Sequence, residues 1–346
     1  MILLRKDLQD LNEQEYLQNL PQNNDHIAQV ILDNGGQLPA IPPVEIHPYS
    51  YTEHNLGYDK MIIGTFPPIS YILDNELLNG INLNHQRIYR PIIPFYHGNK
   101  GGMWKILLGN HDYEAIIALR DRNQRRQEII EELIFRFIRY DDIIYSTKRR
   151  ITNNGYNAED KNLFNIIPKI SLIEDVLKKK ELIAILFNTS TTFSDKIKIN
   201  RDNKINIESD TNIKSFDLFI RTTQELGFSV DFKLDDINGN VVFDWIELNY
   251  QNRQLIKNNF SYKMIFKMRV RKQNSILKEI IVITPFSPSA RGRVDLNPIV
   301  ANWLIQNPNN NRNDLLRNIY QSFSLLSEDV EFFEHKQFLY SLNHYE

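Results

Sequence analysis

Residues 59–68 read DKMIIGTFPP, a short apolar run that ends on Gly64 and is followed by a threonine, a phenylalanine and two prolines. Consecutive apolar residues without alternation are typical of a strand that is buried on both faces, as in a parallel sheet. Similar runs occur at 182–187 (LIAILF) and 279–284 (EIIVIT), and a shorter one occurs at 142–146 (DIIYS). The sequence therefore predicts four buried strands, each of which opens into a loop.

Helical periodicity is found between these strands. Apolar residues recur at helical spacing over 103–119, 125–138 and 171–180, and a further helix is expected from about Asn297 to Gln306. Strands that alternate with helices predict a parallel sheet with helices packed on its faces. We therefore expect an α/β fold of three layers, in which helices flank a central parallel four-stranded sheet.

Polar and loop-forming residues follow the predicted strands directly. In an open parallel sheet, ligands bind outside the carboxyl ends of the strands. The segments in that position are 64–68, 146–147, 188–189 and 284–288. This edge of the sheet is therefore where we expect the functional site.

The remaining chain is arranged around this core. The expected segments are an N-terminal helical and loop extension, the first part of the core, an α+β insertion, the last strand and helix of the core, and a helical tail, at 1–57, 58–196, 197–277, 278–310 and 311–346. The extension is expected to begin with an amphipathic helix over about 4–20. Within the insertion, Gly239-Asn240 predicts a turn between antiparallel strands.

Composition limits the classes of function. The chain has 346 residues, 42% of them hydrophobic, and a net charge of −2, so it lacks the overall basic charge of broad DNA-binding surfaces. The clearest basic spots are 148–150 and the residues Arg269 and Arg271. The absence of cysteine excludes disulfides, thiolate nucleophiles and cysteine-ligated metal centres. Neither a signal peptide nor a long apolar segment is recognisable, so a cytoplasmic protein without a membrane partner is expected.

Three motifs together resemble the uracil-DNA glycosylase superfamily, and they are closest to its mismatch-specific or hypoxanthine-DNA glycosylase branch. The motifs are MIIGTFPP at 61–68, FYHGNKGGMW at 95–104 and ITPFSPSA at 283–290. The first is similar to the family's strand followed by Gly-x-Phe-Pro, the second to its tyrosine loop that enters a helix, and the third to its late Ser-Pro motif. The resemblance covers roughly 58–195 and 279–305, and it implies the uracil-DNA glycosylase-like fold.

The resemblance implies an enzyme that flips a base out of DNA and cleaves its N-glycosidic bond. Phe66 or Tyr96 would stack on the base, and Asn188 would pair with its edge. The residues expected to form the base pocket are Gly64, Thr65, Phe66, Pro67, Tyr96 and Asn188. The residues expected to contact DNA are Lys100, Ser287, Pro288, Ser289, Arg291 and Arg293.

The catalytic residues are indicated less directly. Most branches carry Asp, Asn or Glu in the first motif to activate water, and this chain has Phe66 there. The branch that it resembles uses an asparagine of the second motif, for which Asn99 is the nearest amide. Asn99 is therefore the first catalytic candidate, followed by Asp142 and Asp160, because a carboxylate or an amide-held water would stabilise an oxocarbenium-like sugar.

The same residues also have purely structural interpretations. Segment 64–68, taken by itself, is more typical of a strand-ending turn than of a site, and segment 287–289 is also consistent with a tight loop. A residue such as Tyr96 is more often a core aromatic than a base platform, and Asn188 is equally a turn residue or helix cap.

Several functions stay open at this stage. The leading one is a monofunctional DNA glycosylase that removes a modified, deaminated or mismatched base without metal or cofactor, acting as a monomer. A variant of it removes bulky modified bases from foreign DNA. The alternatives are a catalytically inactive DNA- or nucleotide-binding protein of the same fold and a nucleotide-modifying enzyme unrelated to repair.

Overall fold

The structure is a computed structural model of the chain. It describes residues 24–48, 57–67, 69–74, 76–83, 86–87, 89–95, 102–152, 155–156, 163–188, 197–199, 201, 205–207, 214–260, 263–285, 298–326 and 333–344. The expected N-terminal helix over 4–20 lies outside these residues.

The strands follow the chain in the order β1 to β16. Their bounds are β1 Val44–Ile46, β2 Lys60–Gly64, β3 Asn82–Leu83, β4 Gln86–Arg87, β5 Ile138–Asp142, β6 Ile144–Arg149, β7 Ile151–Thr152, β8 Gly155–Tyr156, β9 Leu163–Pro168, β10 Ala184–Phe187, β11 Ile197–Ile199, β12 Ile205–Ile207, β13 Ser229–Asp235, β14 Val241–Glu247, β15 Ile265–Lys272 and β16 Ser275–Ile283.

The helices are numbered in the same way. Their bounds are α1 Asp25–Asp33, α2 Ile69–Ile72, α3 Met103–Leu108, α4 Asn110–Ala118, α5 Arg122–Phe135, α6 Ile170–Lys178, α7 Ser215–Glu225, α8 Arg253–Phe260, α9 Pro298–Gln306, α10 Arg312–Ser324 and α11 Phe333–Ser341. In the part of the chain that the structure describes, no helix has the length and apolar character needed to cross a bilayer.

The main sheet has seven strands in the order β14-β13-β15-β16-β10-β2-β5. Strands β16, β10, β2 and β5 pair in parallel, whereas β14, β13 and β15 are joined to them through antiparallel pairs. The fold is therefore α/β, as expected, but its sheet is mixed and seven-stranded rather than parallel and four-stranded. The reason is that strands from the expected insertion extend the same sheet instead of forming one of their own.

The strand expected over 142–146 is divided between two strands of different sheets. The chain forms β5 up to Asp142 and enters β6 at Ile144, which belongs to a second sheet with the order β1-β6-β9. The apolar pattern did not reveal β5, because this strand carries the charged residues Arg139 and Asp141, both of which are buried. These charges are compensated by an ion pair with each other and by Lys169, whose Nζ lies 2.6 Å from Asp141 Oδ1.

Two hydrophobic clusters cover the two faces of the main sheet. Alternate residues of β2 divide between them, with Met61 and Ile63 in one cluster and Ile62 in the other. The first cluster takes in residues of α1, α2, α6, α7 and α8, and the second takes in residues of α3, α4, α5, α9, α10 and α11. Helices therefore pack on both faces of the sheet, because its strands β2 and β10 are apolar on both sides.

The other helix predictions differ from the structure only in detail. The helix expected over 103–119 is divided at Gly109, whose φ of 88° is a left-handed conformation that favours glycine. The helix expected from Asn297 begins at Pro298, and the tail forms α10 and α11. Asn311 caps α10 with a reciprocal hydrogen-bonded box in which the Asp314 carboxylate accepts from the Asn311 backbone N–H.

Candidate functional site

The carboxyl ends of β2, β5 and β10 meet where the strand order reverses. The chain passes from β2 to β5 on one side and later places β10 on the other side of β2. Such a reversal leaves a crevice outside the strand ends, which is the usual ligand site of an open α/β sheet. Gly64 and Asp142 are opposite each other in register at these ends, and the Asn188 backbone N–H donates to the carbonyl of Ile63 at 3.0 Å.

A chain of polar side chains, which we call the polar relay, crosses these strand ends. It consists of His47, Asp142, Tyr140 and Asn188. His47 Nε2 lies 3.2 Å from Asp142 Oδ2, and Tyr140 Oη lies 3.3 Å from Asp142 Oδ1. Asn188 Nδ2 lies 2.8 Å from Tyr140 Oη. All of its members are buried, since their exposed fractions are 7%, 0%, 0% and 2% in that order.

His47 comes from the N-terminal extension. It directly follows β1, which pairs with β6 so that Ile46 lies opposite Ser146, and the His47 backbone N–H donates to the carbonyl of Tyr145 at 2.8 Å. This pairing carries the imidazole to Asp142, which is 95 residues away in sequence. His47 was not predictable from the sequence, because a single histidine after a three-residue strand carries no periodic or spacing signal.

Gly64 lacks a side chain where the relay needs the space. A Cβ at this position would overlap the Oδ1 atom of Asp142 and would lie 2.5 Å from Tyr140 Oη. The carboxylate of β5 therefore occupies the volume that a side chain at the end of β2 would take. The first motif has no acidic residue of its own. Because Gly64 has no side chain, the Asp142 carboxylate of β5 lies next to this motif.

A buried ion pair contacts the loop after β2 and fixes its backbone. Arg149 Nη2 lies 3.1 Å from Glu45 Oε2 and donates a second hydrogen bond of 3.1 Å to the carbonyl of Pro67. The carbonyls of Gly64 and Thr65 accept from the backbone N–H groups of residues 143 and 144 at 3.0 and 3.1 Å. The loop thus has fixed partners along its length, so the residues that it carries are preorganised.

Phe66 is part of the core beside the relay. Its ring makes an edge-to-face contact with His47 at 5.8 Å between centroids, and only 3% of its surface is exposed. On the other side, Trp104 stacks on Phe95 at 5.7 Å and packs against Tyr140 at 5.6 Å. Aromatic rings therefore enclose the relay on two sides and keep its dielectric low.

Burial has two consequences for the polar atoms of the relay. It raises the pKa of Tyr140 well above the usual value, and the nearby Asp142 carboxylate raises it further, so the hydroxyl keeps its proton. The second consequence concerns Asn188, whose Oδ1 is buried and has no hydrogen-bond partner among the residues that the structure describes. A buried carbonyl without a partner is costly, and it marks a place where a ligand donor would be satisfied.

The structure brings six of the residues chosen from the sequence to one edge of the sheet. They are Gly64, Thr65, Phe66, Pro67, Asp142 and Asn188. Tyr140, like His47, was not among the candidates, because it lies in the strand that the apolar pattern failed to show. The other candidates lie outside the described residues: Tyr96, Asn99, Lys100, Asp160, Ser287, Pro288, Ser289, Arg291 and Arg293.

Three arginines of the basic spots form ion pairs within the fold. Arg149 is buried against Glu45. Arg269 and Arg271 both bind Asp231, with nitrogen–oxygen distances of 2.8 and 2.6 Å. These guanidinium groups are therefore committed to internal ion pairs, and the sequence pattern overstated the positive surface.

A separate groove of about 570 Å³ lies between α3, α10 and α11, and its lining includes Leu107, Phe135, Leu325 and His335. It shares no residue with the relay. Its shape is therefore not an argument for the strand-end site.

Among the described residues, no group of three or more His, Asp or Glu side chains is placed to hold a metal ion.

Comparison of the chain with models of protein families, with curated proteins and with solved structures finds no match.

Proposed function

We propose that the chain is a monofunctional DNA glycosylase, which hydrolyses the N-glycosidic bond of a flipped base that is modified, deaminated or mismatched. The observation that carries this proposal is the polar relay at the carboxyl ends of β2, β5 and β10, beside the point where the strand order reverses. It combines a carboxylate, an imidazole and an amide, the group types that such a hydrolysis needs.

The fold proposal is a uracil-DNA glycosylase-like core that three antiparallel strands extend. Its support is the set of parallel strands β5, β2, β10 and β16, in which the first motif follows β2 and the late Ser-Pro motif follows β16. The second motif enters α3, whose Met103 and Trp104 pack beside the relay. The described ends of these motifs, 64–67, 102–104 and 283–285, thus adjoin one edge of one sheet.

In the proposed reaction, a water oxygen attacks C1′ of the sugar while the bond from C1′ to the base nitrogen breaks. The base leaves with the bonding electron pair, and the water loses a proton. In this proposal Asp142 stabilises the positive charge that develops on the sugar, and His47, which hydrogen bonds to Asp142, takes the proton. Asn188 reads the base edge with its free carbonyl oxygen.

A second function is favoured by the burial of the relay. Asp142 and Tyr140 are fully buried and mutually hydrogen bonded, which is also what a purely structural network requires. A non-catalytic DNA- or nucleotide-binding protein of this fold would keep the amide at Asn188 and would have no need of a reactive carboxylate.

The experiment that separates the two uses labelled duplexes that contain uracil, hypoxanthine, mismatched thymine or glucosylated cytosine, followed by alkali to cut abasic sites. We expect strand scission for at least one base, at a single-turnover rate that Asp142→Asn lowers by about a hundredfold or more. The matched control is Asp231→Asn, which removes another buried carboxylate that lies outside the relay and is expected to retain the rate.

Three results would contradict the proposal or redirect it. Retention of DNA without scission would favour the binding protein. Scission of the glucosylated base alone would favour the variant that acts on bulky bases of foreign DNA. Equal losses in Asp142→Asn and Asp231→Asn would show that the rate reports folding rather than chemistry at Asp142.

A further inference from the structure

We propose that Asp142 and Tyr140 fix the orientation of the Asn188 amide, so that the site accepts a hydrogen bond and selects bases that carry an N–H on the ring edge they present. This inference rests on the proposed function in one respect, because it takes the ligand to be a nucleobase. It assigns Tyr140 as a positioning residue that determines specificity through Asn188.

The first step is the direction of the bond between Asp142 and Tyr140. An ionised carboxylate only accepts hydrogen bonds, and Tyr140 Oη lies 3.3 Å from its Oδ1. The tyrosine hydroxyl must therefore donate its one proton to Asp142. The raised pKa of Tyr140, which burial causes, agrees with a hydroxyl that stays protonated.

The second step is the direction of the bond between Tyr140 and Asn188. Because its proton points to Asp142, the tyrosine oxygen offers only lone pairs to Asn188 at 2.8 Å. The amide nitrogen must occupy that position, which fixes the choice between the two ends of the amide by chemistry. The sulfur of Met103, 3.8 Å from the same nitrogen, is a second and weaker acceptor on that side.

The third step is what this leaves for a ligand. The carbonyl oxygen of Asn188 faces away from Tyr140 and is buried without a hydrogen-bond partner among the described residues. An unrestrained asparagine would turn to offer either its nitrogen or its oxygen, and it would suit a donor or an acceptor equally. The restrained amide offers an acceptor alone, so a base with a ring N–H satisfies it and a base with a bare ring nitrogen places two lone pairs against each other.

The test compares pairs of bases that differ in this ring N–H and in the exocyclic carbonyl beside it. Hypoxanthine carries a ring N–H where purine has a bare nitrogen, and uracil carries one where pyrimidin-2-one has a bare nitrogen. Each base is placed in the same duplex on a 2′-fluorinated sugar, which resists cleavage, and the affinity of the full chain is measured by fluorescence anisotropy. We expect the N–H member of at least one pair to bind about tenfold or more tightly than its partner, because an unsatisfied buried acceptor carries the full desolvation cost.

The variant Tyr140→Phe removes the restraint and lets the amide turn. The affinity ratio within the pair should fall towards unity, mainly because the base with the bare nitrogen gains affinity. The control is Tyr340→Phe, which removes another buried tyrosine hydroxyl in α11 and should leave the ratio unchanged. If Tyr140→Phe does not fold, the paired comparison in the unaltered chain still tests whether the site selects bases with a ring N–H.

The outcomes separate this inference from the proposed function. Equal affinity within both pairs, or no binding of any of the four duplexes, overturns the inference even if a natural duplex is cut. A ratio that persists in folded Tyr140→Phe overturns the role of Tyr140. Discrimination within a pair, lost in Tyr140→Phe and accompanied by no scission of any natural substrate, supports the inference and contradicts the glycosylase.

Discussion

The substitution Gly64→Ala places a methyl group inside the polar relay. The new Cβ would overlap the carboxylate of Asp142 and lie 2.5 Å from the Tyr140 hydroxyl oxygen. Both atoms belong to fully buried side chains that are hydrogen bonded to each other, one of them short and the other a rigid ring, so neither is the loose end of a flexible chain. One of them must move, and the bond between them is the first interaction to be lost.

The magnitude follows from two costs and one smaller opposing gain. Forcing an extra methyl group into a packed interior costs about 1–3 kcal/mol. Losing a hydrogen bond to a charged acceptor costs about 1.5–3 kcal/mol more, while the stiffer unfolded chain returns less than about 1 kcal/mol. We therefore expect Gly64→Ala to lower the free energy of unfolding by about 4 kcal/mol, a large part of the stability of an ordinary domain.

The assay is urea denaturation at pH 7, followed by circular dichroism, with DNA excision measured in parallel. The control is Gly102→Ala, because a Cβ at Gly102 meets nothing within 4 Å, and this variant should stay within about 1 kcal/mol of the unaltered chain. A double variant with Asp142→Ala adds a sharper test, since most of the overlap disappears with the carboxylate and the two costs should not be additive.

The result that would refute the reasoning is a Gly64→Ala protein as stable as Gly102→Ala. The same holds for strict additivity of Gly64→Ala and Asp142→Ala, because it would mean that the two positions do not share the same space.

Three further predictions concern stability and DNA binding. Glu45→Gln should lower the free energy of unfolding by about 3–5 kcal/mol in urea denaturation, because Arg149 stays buried and loses the charge of Glu45. The double variant with Arg149→Met should recover part of this free energy, and no recovery would contradict the ion-pair explanation. Alkaline titration should destabilise the fold by about 1.4 kcal/mol per pH unit for each buried tyrosine of raised pKa. Those tyrosines are Tyr140, Tyr320 and Tyr340. Their stabilising contribution is complete below the pKa of an unfolded-state tyrosine, about 10, and is lost as the pH rises towards the folded-state pKa. The variant Tyr320→Phe should therefore reduce the loss of unfolding free energy per pH unit by about 1.4 kcal/mol. An unchanged dependence of the unfolding free energy on pH would exclude this mechanism. Finally, Arg271→Ala should leave DNA affinity within about twofold in gel-shift titrations, because its guanidinium binds Asp231; a tenfold loss would instead indicate a phosphate contact.

The fold was predictable where burial is apolar on both sides. The runs that form β2, β10 and β16 are visible in the sequence, and the helices between them follow from their spacing. Strand β5 was not, because three of its five residues, Arg139, Asp141 and Asp142, are charged and are buried beside polar partners. A local pattern has no means of showing a compensating charge at Lys169.

The site was predictable only where its residues adjoin a strand that the apolar pattern shows. Gly64 and Asn188 follow visible strands, so the rule that ligands bind at carboxyl ends was sufficient to select them. Asp142 was selected from the resemblance, and its position in register with Gly64 came only with the structure. His47 and Tyr140 required knowledge of the pairing of β1 with β6 and of the course of β5, both of which are set by contacts between distant segments.

The placement of β16 beside β10 has a consequence for how the protein is made. Everything from residue 188 to residue 274 emerges from the ribosome between these two neighbours in the sheet. Until residues 275–283 follow, the strand AILF at 184–187 has an open edge of apolar character, and closing so long a loop is slow. A nascent chain halted before residue 275 should therefore recruit chaperones that bind apolar strands, and the full-length chain should escape them.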